Sequence, residues 1–187
     1  MKIDRIVQLL SDWDPLGTSN VQNRGIVFGE HENGPPYRGY HTVFSPLKKS
    51  HIDIRVDEAS FIAPFSYIGN LHGFNGANLF GPKLTFLGLN DVVDYPTSTH
   101  MLPLFLVDAN LKAFYEIGHL ENLIIGQIRI SGSFFDIVEQ IHGGFQICEE
   151  GNGKVLFHTE EFEELFKFCL NKLNDEHLDV FLNSRNY

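Results

Sequence analysis

Four apolar segments follow one another between residues 123 and 158, with only a few residues between one segment and the next. The gaps carry residues that favour tight turns, such as Ser131-Gly132-Ser133 and Gly151-Asn152-Gly153. Strands this close together must be joined by hairpins, because a parallel pair needs a crossover of about a dozen residues or more. We therefore predict antiparallel strands at 123–130, 134–138, 144–148 and 155–158.

Two shorter apolar segments lie upstream. Residues 84–89 have the pattern of a strand, and the island 26–28 is a further candidate. The rest of residues 14–39 is rich in glycine and proline among polar residues, so it is predicted as loop.

Apolar residues at helical spacing mark the segments on either side of these strands. Helices followed by strands and then by helices are typical of an α+β fold, here a mostly antiparallel sheet of about five or six strands flanked by helices. The predicted helices cover 3–13, 46–58, a segment opened by Pro64 that ends near Gly73, a short segment capped by Asp108, a long one capped by Thr159, and 175–183.

The charge of the chain limits the kind of partner it can bind. It has 24 acidic residues against 14 basic ones, a formal net charge of −10. Such a field repels phosphate backbones, so direct nucleic-acid binding is not expected. It attracts basic proteins, although excess acid also serves solubility alone. Residues 139–187 hold ten acids and four bases, so this segment carries −6 of the total.

Location can be judged from the first residues and the two cysteines. Asp4 and the amphipathic spacing around it interrupt the apolar run that an export signal needs. No run reaches the roughly 18 apolar residues of a membrane-spanning helix. Cys148 and Cys169 lie among apolar residues, which favours reduced, buried thiols over a disulfide scaffold. We expect a cytoplasmic protein that does not bind membranes.

Nine histidines raise the question of a metal or catalytic site. None belongs to an HxxxH or HExxH pair, and neither cysteine lies at zinc-ligand spacing. A P-loop and a GxSxG motif are missing, and the pair Asp91 and Asp94 is interpreted as part of a solvated loop. We expect a protein that is not an enzyme and needs no metal or cofactor. A metal site or acid–base pair assembled from distant residues stays open as an alternative.

A second pattern consists of four stretches in a fixed order. An aromatic residue with a Pro-Leu pair comes first, a proline-and-tyrosine helix then leads into an Asn-Gly turn and a strand, and two further helix and strand pieces follow. The residues are Tyr40, Phe44, Pro46-Leu47 and Ile52; Pro64, Tyr67, Asn75-Gly76-Ala77, Leu79-Phe80 and Gly88-Leu89; Ala109-Asn110 with Leu123-Ile124-Ile125-Gly126; and Gly153-Lys154-Val155 with Phe162-Glu163-Glu164-Leu165. Together they resemble the SUKH superfamily, which also contains yeast cell-wall assembly regulators.

The resemblance implies a domain organisation and a function. It covers residues 40–173 as a family-like core, preceded by a helix and variable loops in 1–39 and followed by a C-terminal extension in 174–187, all in one domain. Pro64, Tyr67, Asn75 and Gly76 would be structural motif residues. Bacterial members are mostly immunity proteins, so the expected function is non-catalytic binding of a cognate toxin, often a nuclease.

The candidate partner-binding residues are acidic pairs near the C-terminus and aromatic residues in or near loops. In the family context an acidic face would mimic a nucleic-acid substrate, and the aromatic residues would anchor the partner. The alternatives are solvated helix faces for the acids and core packing for the rings. A regulatory scaffold and a small-ligand binder or hydrolase also stay open. The candidates are Glu149, Glu150, Glu160, Glu161, Glu163 and Glu164, with Trp13, Tyr37, Tyr40 and Tyr95.

Overall fold

One sheet runs through most of the chain. The computed structural model describes residues 1–11, 18–21, 25–28, 41–80, 83–89 and 105–184. Within them nine strands form a meander, in which each strand pairs antiparallel with the next strand in sequence. The strands are β1 Thr18–Val21, β2 Gly25–Phe28, β3 His41–Phe44, β4 Ala77–Leu79, β5 Leu84–Phe86, β6 Asn122–Ile130, β7 Ser133–Gln140, β8 Phe145–Glu149 and β9 Val155–Thr159.

The predicted antiparallel α+β class is confirmed, but the count of five or six strands is wrong. The additional strands are β1, β3 and β4. β1 is mostly polar and β4 has three residues, so neither shows apolar alternation. β3 begins with His41, which is buried with its ring between those of Phe28 and Phe80. A search for alternating apolar residues does not find this strand, because histidine is not counted as apolar.

In the described part of the chain, five α-helices and the 3₁₀ turn Ser60–Ile62 accompany the sheet. Since α5 is continuous, the separate helix predicted at 175–183 is wrong. No glycine or proline interrupts residues 162–184, so nothing stops the helix there. The elements are α1 Ile3–Leu9, α2 Lys49–Glu58, the 3₁₀ turn Ser60–Ile62, α3 Tyr67–Asn70, α4 Leu106–Ile117 and α5 Phe162–Ser184.

Other helices also begin or end at residues different from those predicted. The helix predicted to run to residue 13 ends at Leu9, and the one predicted from residue 46 begins at Lys49. Asp108 does not cap α4, because Phe105 holds the N-cap position and Asp108 lies within the first turn. A carboxylate there still faces the positive end of the helix dipole.

α5 covers one face of the sheet with aromatic side chains. The Phe162 ring lies at the centre of this contact, since rings from two helices and from the sheet surround it. Phe86 also stacks on Phe166, and Phe157 on Phe168. Aromatic side chains bury roughly 150–250 Å² each, so this cluster is a large part of the core. The rings around Phe162 belong to Tyr67, Phe74, Phe86, Phe145 and Phe166.

The two faces of the sheet differ as strand alternation requires. The row facing α5 consists of small and apolar residues, and the row on the opposite face is mostly polar. The first row runs through Val43, Ala77, Phe86, Gly126, Ile137 and Ile147. The second runs through Thr42, Asn78, Thr85, Gln127, Asp136 and Cys148.

Asn75 and Gly76 form the predicted turn that enters β4. The buried Asn75 side chain donates to the Leu89 carbonyl (2.9 Å) and accepts from the Leu89 N–H (2.7 Å). Gly76 has φ +85°, and a Cβ there would lie 2.6 Å from the Phe86 carbonyl oxygen. The turn therefore needs glycine both for its backbone angle and for the space between strands.

We predict that Gly76→Ala lowers the free energy of unfolding by about 3 kcal/mol, from left-handed strain of about 1–2 kcal/mol plus the clash with Phe86. Gly118→Ala is the matched control, because Gly118 has φ +83° with open space around it. It should cost only about 1 kcal/mol. Chemical denaturation measures both, and equal losses would show that the contact with Phe86 contributes nothing.

Candidate functional site

The start of α5 places exposed acidic residues directly beside the core. β9 ends at Thr159, whose hydroxyl accepts from the Glu161 N–H (3.2 Å) and donates to the Glu164 carboxylate (2.7 Å). α5 begins at Phe162, so Thr159 is not its N-cap as predicted, although its hydroxyl does bind the connecting backbone. Glu160 and Glu161 are exposed between the buried Thr159 and Phe162. Two carboxylates are thus held outward by neighbours fixed in the core.

A shallow depression of about 440 Å³ lies beside this connection. Its walls are formed by the N-terminal residue before α1, by α3 and by three of the acidic residues predicted to bind a partner. Its lining residues are Met1, Ser66, Gly69, Asn70, Phe145, Glu160, Glu161, Phe162 and Glu163.

Glu163 is committed to contacts within the chain. Its carboxylate accepts from Arg5 of α1 (2.8 Å) and pairs with Lys167 one turn along α5 (2.8 Å). The hydrogen bonds from Arg5 and then from Lys167 lower the pKa of Glu163 to about 2. This carboxylate therefore joins α1 to α5, which makes it a poor candidate for binding a partner.

Glu149 and Glu150 lie at the other end of β8 and β9. Glu149 accepts from the Asn152 side chain within the hairpin turn (2.7 Å), and Glu150 is exposed. The five residues of β9 separate this turn from Glu160, a distance of roughly 16 Å at about 3.3 Å per residue. The structure therefore does not gather the six predicted acids into one patch.

A buried carboxylate that the sequence analysis missed supports the depression. Glu139 of β7 lies on the sheet face that carries Ile137 and Phe145. It accepts from the Ser66 N–H (2.7 Å), the Ser66 hydroxyl (2.5 Å) and the Tyr67 N–H (2.8 Å). The available signal was its position two residues after Ile137, in phase with the inward residues of β7.

Three of the four motif residues, Tyr67, Asn75 and Gly76, are buried in the structure. Pro64 is exposed in a turn, and the helix predicted to run from Pro64 to near Gly73 is wrong in its bounds, because α3 covers only Tyr67–Asn70. The buried Tyr67 hydroxyl donates to the Leu87 carbonyl (2.7 Å), and burial together with the Glu139 charge raises its pKa. With Asn75 and Gly76, it ties α3 and the following turn to the end of β5. Tyr67, Asn75 and Gly76 therefore stabilise the fold and are not exposed to a partner.

The aromatic candidates Trp13, Tyr37, Tyr40 and Tyr95, like Asp91 and Asp94, lie outside the described residues. A second cavity, of about 180 Å³, lies between the end of α2 and the start of α4. Arg55 lines it but pairs with Glu58 (2.6 Å). Sites for drug-sized ligands are typically about 300–1,000 Å³, so this cavity is small for such a ligand.

Both thiols are free and weakly acidic. Burial raises the pKa of Cys169, and burial with the nearby Asp136 charge raises that of Cys148. A thiolate is the reactive form, so neither environment activates a nucleophile. In the described ranges no three or more His, Cys, Asp or Glu side chains come together as metal ligands. Among the helices described, none has the length and apolar character to cross a membrane.

Glu139→Gln tests the buried carboxylate. In the wild type each carboxylate oxygen of Glu139 accepts from a backbone N–H. The glutamine amide would place an NH₂ group against one of these two donors. We expect a loss of about 2–3 kcal/mol in the free energy of unfolding. Glu150→Gln, at an exposed position, should change it by less than about 0.5 kcal/mol. A Glu139 variant as stable as the wild type would show that these hydrogen bonds do not hold α3.

The Glu163 ion pairs predict a pH dependence. Because the folded-state pKa is lowered from 4.5 to about 2, their stabilisation is present above about pH 4.5 and is lost as the pH falls toward 2. Carbon-detected NMR titration should give a midpoint near 2 for Glu163, and Arg5→Met should raise it. Lys112→Met, which removes a separate pair with Glu116, should leave it unchanged. A midpoint insensitive to Arg5→Met would contradict the assignment.

Comparison of the chain with models of protein families, with curated proteins and with solved structures found no match.

Proposed function

We propose that this chain is a non-catalytic immunity protein that binds a basic toxin domain and occludes its working surface. The observation that carries the proposal is the pair Glu160 and Glu161, both exposed between the buried Thr159 and Phe162 at the start of α5. Neither forms an ion pair within the described part of the chain, so both charges are available to a partner.

The resemblance to SUKH proteins supports the proposal and extends it to a SUKH-like fold. Tyr67, Asn75 and Gly76 occupy positions where a change would disturb the core, which fits their role as motif residues. The antiparallel sheet packed against α5 agrees with the architecture that the resemblance implies. We place the protein in the cytoplasm, where it would meet a toxin before export or after entry.

The mechanism follows from charge. The net charge of −10 attracts a basic surface over distances near the Debye length and raises the association rate. Carboxylates at the start of α5 would take the positions that phosphates occupy in the cleft of a nuclease. Binding would be stoichiometric, because inhibition requires only that the cleft stay covered.

We expect Glu160→Lys combined with Glu161→Lys to weaken binding of the toxin domain encoded beside this chain by at least about tenfold. Isothermal titration calorimetry measures the affinity, and survival of cells that express the toxin measures protection. Glu149→Lys with Glu150→Lys is the control, because it changes the net charge equally at the far end of β9.

Equal loss in both double variants would assign the effect to net charge and not to the start of α5. If the wild-type chain neither binds that toxin domain nor protects cells, the immunity function is wrong.

A further inference from the structure

α4 presents the most exposed large apolar side chains in the described part of the chain. Tyr115 is 76% exposed and Ile117 is 65% exposed, and both lie in the last turn before Gly118 ends the helix. A soluble protein carries isolated exposed apolar residues without need of explanation, so the question is whether these belong to a larger surface.

Tyr115 and Ile117 continue an aromatic surface. The Phe114 ring stacks on Phe61 at 4.6 Å between centroids, and the Tyr115 ring lies 6.0 Å from Phe114. Phe61 and Phe114 are only half-buried. Ile117 follows Phe114 by three residues, which places both on one side of the helix. We call Phe61, Phe114, Tyr115 and Ile117 the aromatic ridge.

The ridge stands on a rigid base. The buried Asn110 side chain donates to the Ile124 carbonyl (2.8 Å) and accepts from the Ile124 N–H (2.8 Å), which fastens α4 to β6. The Leu106 N–H donates to the Gly88 carbonyl (2.8 Å) at the other end of the helix. Phe61 and Phe114 already stack on each other, so their side chains lose little entropy when a partner covers them, which is typical of residues that anchor an interface.

The charged residues that lie near the ridge in the sequence are mostly acidic. The two basic ones, Arg55 and Lys112, are paired with Glu58 (2.6 Å) and Glu116 (3.8 Å). Asp57 and Glu121 are exposed and take part in no ion pair among the described residues. The surroundings of the ridge therefore keep an excess of negative charge.

This charge selects the occupant. In a two-fold dimer through the ridge, the acids of one copy would face those of the other and repel. An anionic membrane surface would be repelled as well. A protein whose apolar cleft is rimmed by lysine and arginine satisfies both the rings and the carboxylates.

The segment that follows α4 and the start of α5 meet the sheet at the same end. Leu123, Glu139, Phe145 and Thr159 form one row across four neighbouring strands. Three strand spacings of about 4.8 Å place the row's ends about 14 Å apart. Glu121 precedes this row by two residues, and Glu160 follows it directly. One partner covering about 800 Å² is therefore wide enough to contact both Glu121, four residues after Ile117, and Glu160.

We propose that the aromatic ridge is the apolar anchor of the partner-binding surface and that it docks a basic protein. The proposal rests on the proposed function for the identity of that protein, the toxin domain. In this proposal Tyr115 is the principal anchor, in place of the loop aromatic residues predicted from the sequence. The carboxylates provide the long-range attraction.

The test compares Tyr115→Ala and Ile117→Ser with Leu156→Ser in the full chain. Leu156 is 45% exposed on β9 and serves as the matched control. Calorimetry with the toxin domain should show a loss of at least about tenfold for Tyr115→Ala and less than twofold for Leu156→Ser. The loss should persist at high salt, because it is apolar in origin. Tyr115→Ala that binds within twofold of wild type overturns the ridge, even if the Glu160 and Glu161 variant fails to bind.

A second measurement separates failure of the ridge from failure of the immunity function. Benzoylphenylalanine replaces Tyr115, or Leu156 as control, and the chain is photo-crosslinked in its host. A basic protein, identified by mass spectrometry and joined at position 115 but not 156, upholds the ridge even where the toxin domain does not bind. No adduct at 115, an adduct with a second copy, or one with an acidic protein overturns it.

Discussion

The carboxylate of Glu139 is the contact on which the arrangement of helices over the sheet depends most. A charge taken out of water is costly unless hydrogen bonds replace its hydration. Here the backbone and hydroxyl of Ser66 and the backbone of Tyr67 supply them. The helix α3 cannot move along β7 without leaving that carboxylate unsatisfied. Tyr67 also fixes α3 relative to β5, because its hydroxyl donates to the Leu87 carbonyl just after that strand.

An element could be predicted from the sequence where local patterns determine it, and not where distant partners hold it in place. The hairpins β6 to β9 were predictable because apolar alternation and turn residues agree there. Glu139 was missed because its partners are two backbone N–H groups and a hydroxyl more than 70 residues away, which no local pattern contains. β1 and β4 were missed because they are held by their neighbours and not by their own composition.

The candidate site divides in a similar way. Composition indicated an acidic C-terminal part, and the structure shows that its acids differ in kind. Glu163 is neutralised by Arg5 and Lys167, Glu149 is bonded within its hairpin, and Glu160 and Glu161 face solvent. Tyr115 lies in the short helix predicted near Asp108, but its exposure could be learned only from the packing of α4 on β6.

The order of the strands also has a consequence for how the chain matures. Each of the nine described strands pairs with its neighbour in sequence, so the sheet can assemble progressively as the polypeptide leaves the ribosome. The apolar face of the sheet, however, is covered by Phe162 and Phe166, which are synthesised only after all nine described strands. Until then a nascent chain displays a nearly finished sheet without its cover. Premature termination before residue 162 would therefore yield a fragment with an exposed apolar surface, which would aggregate instead of functioning.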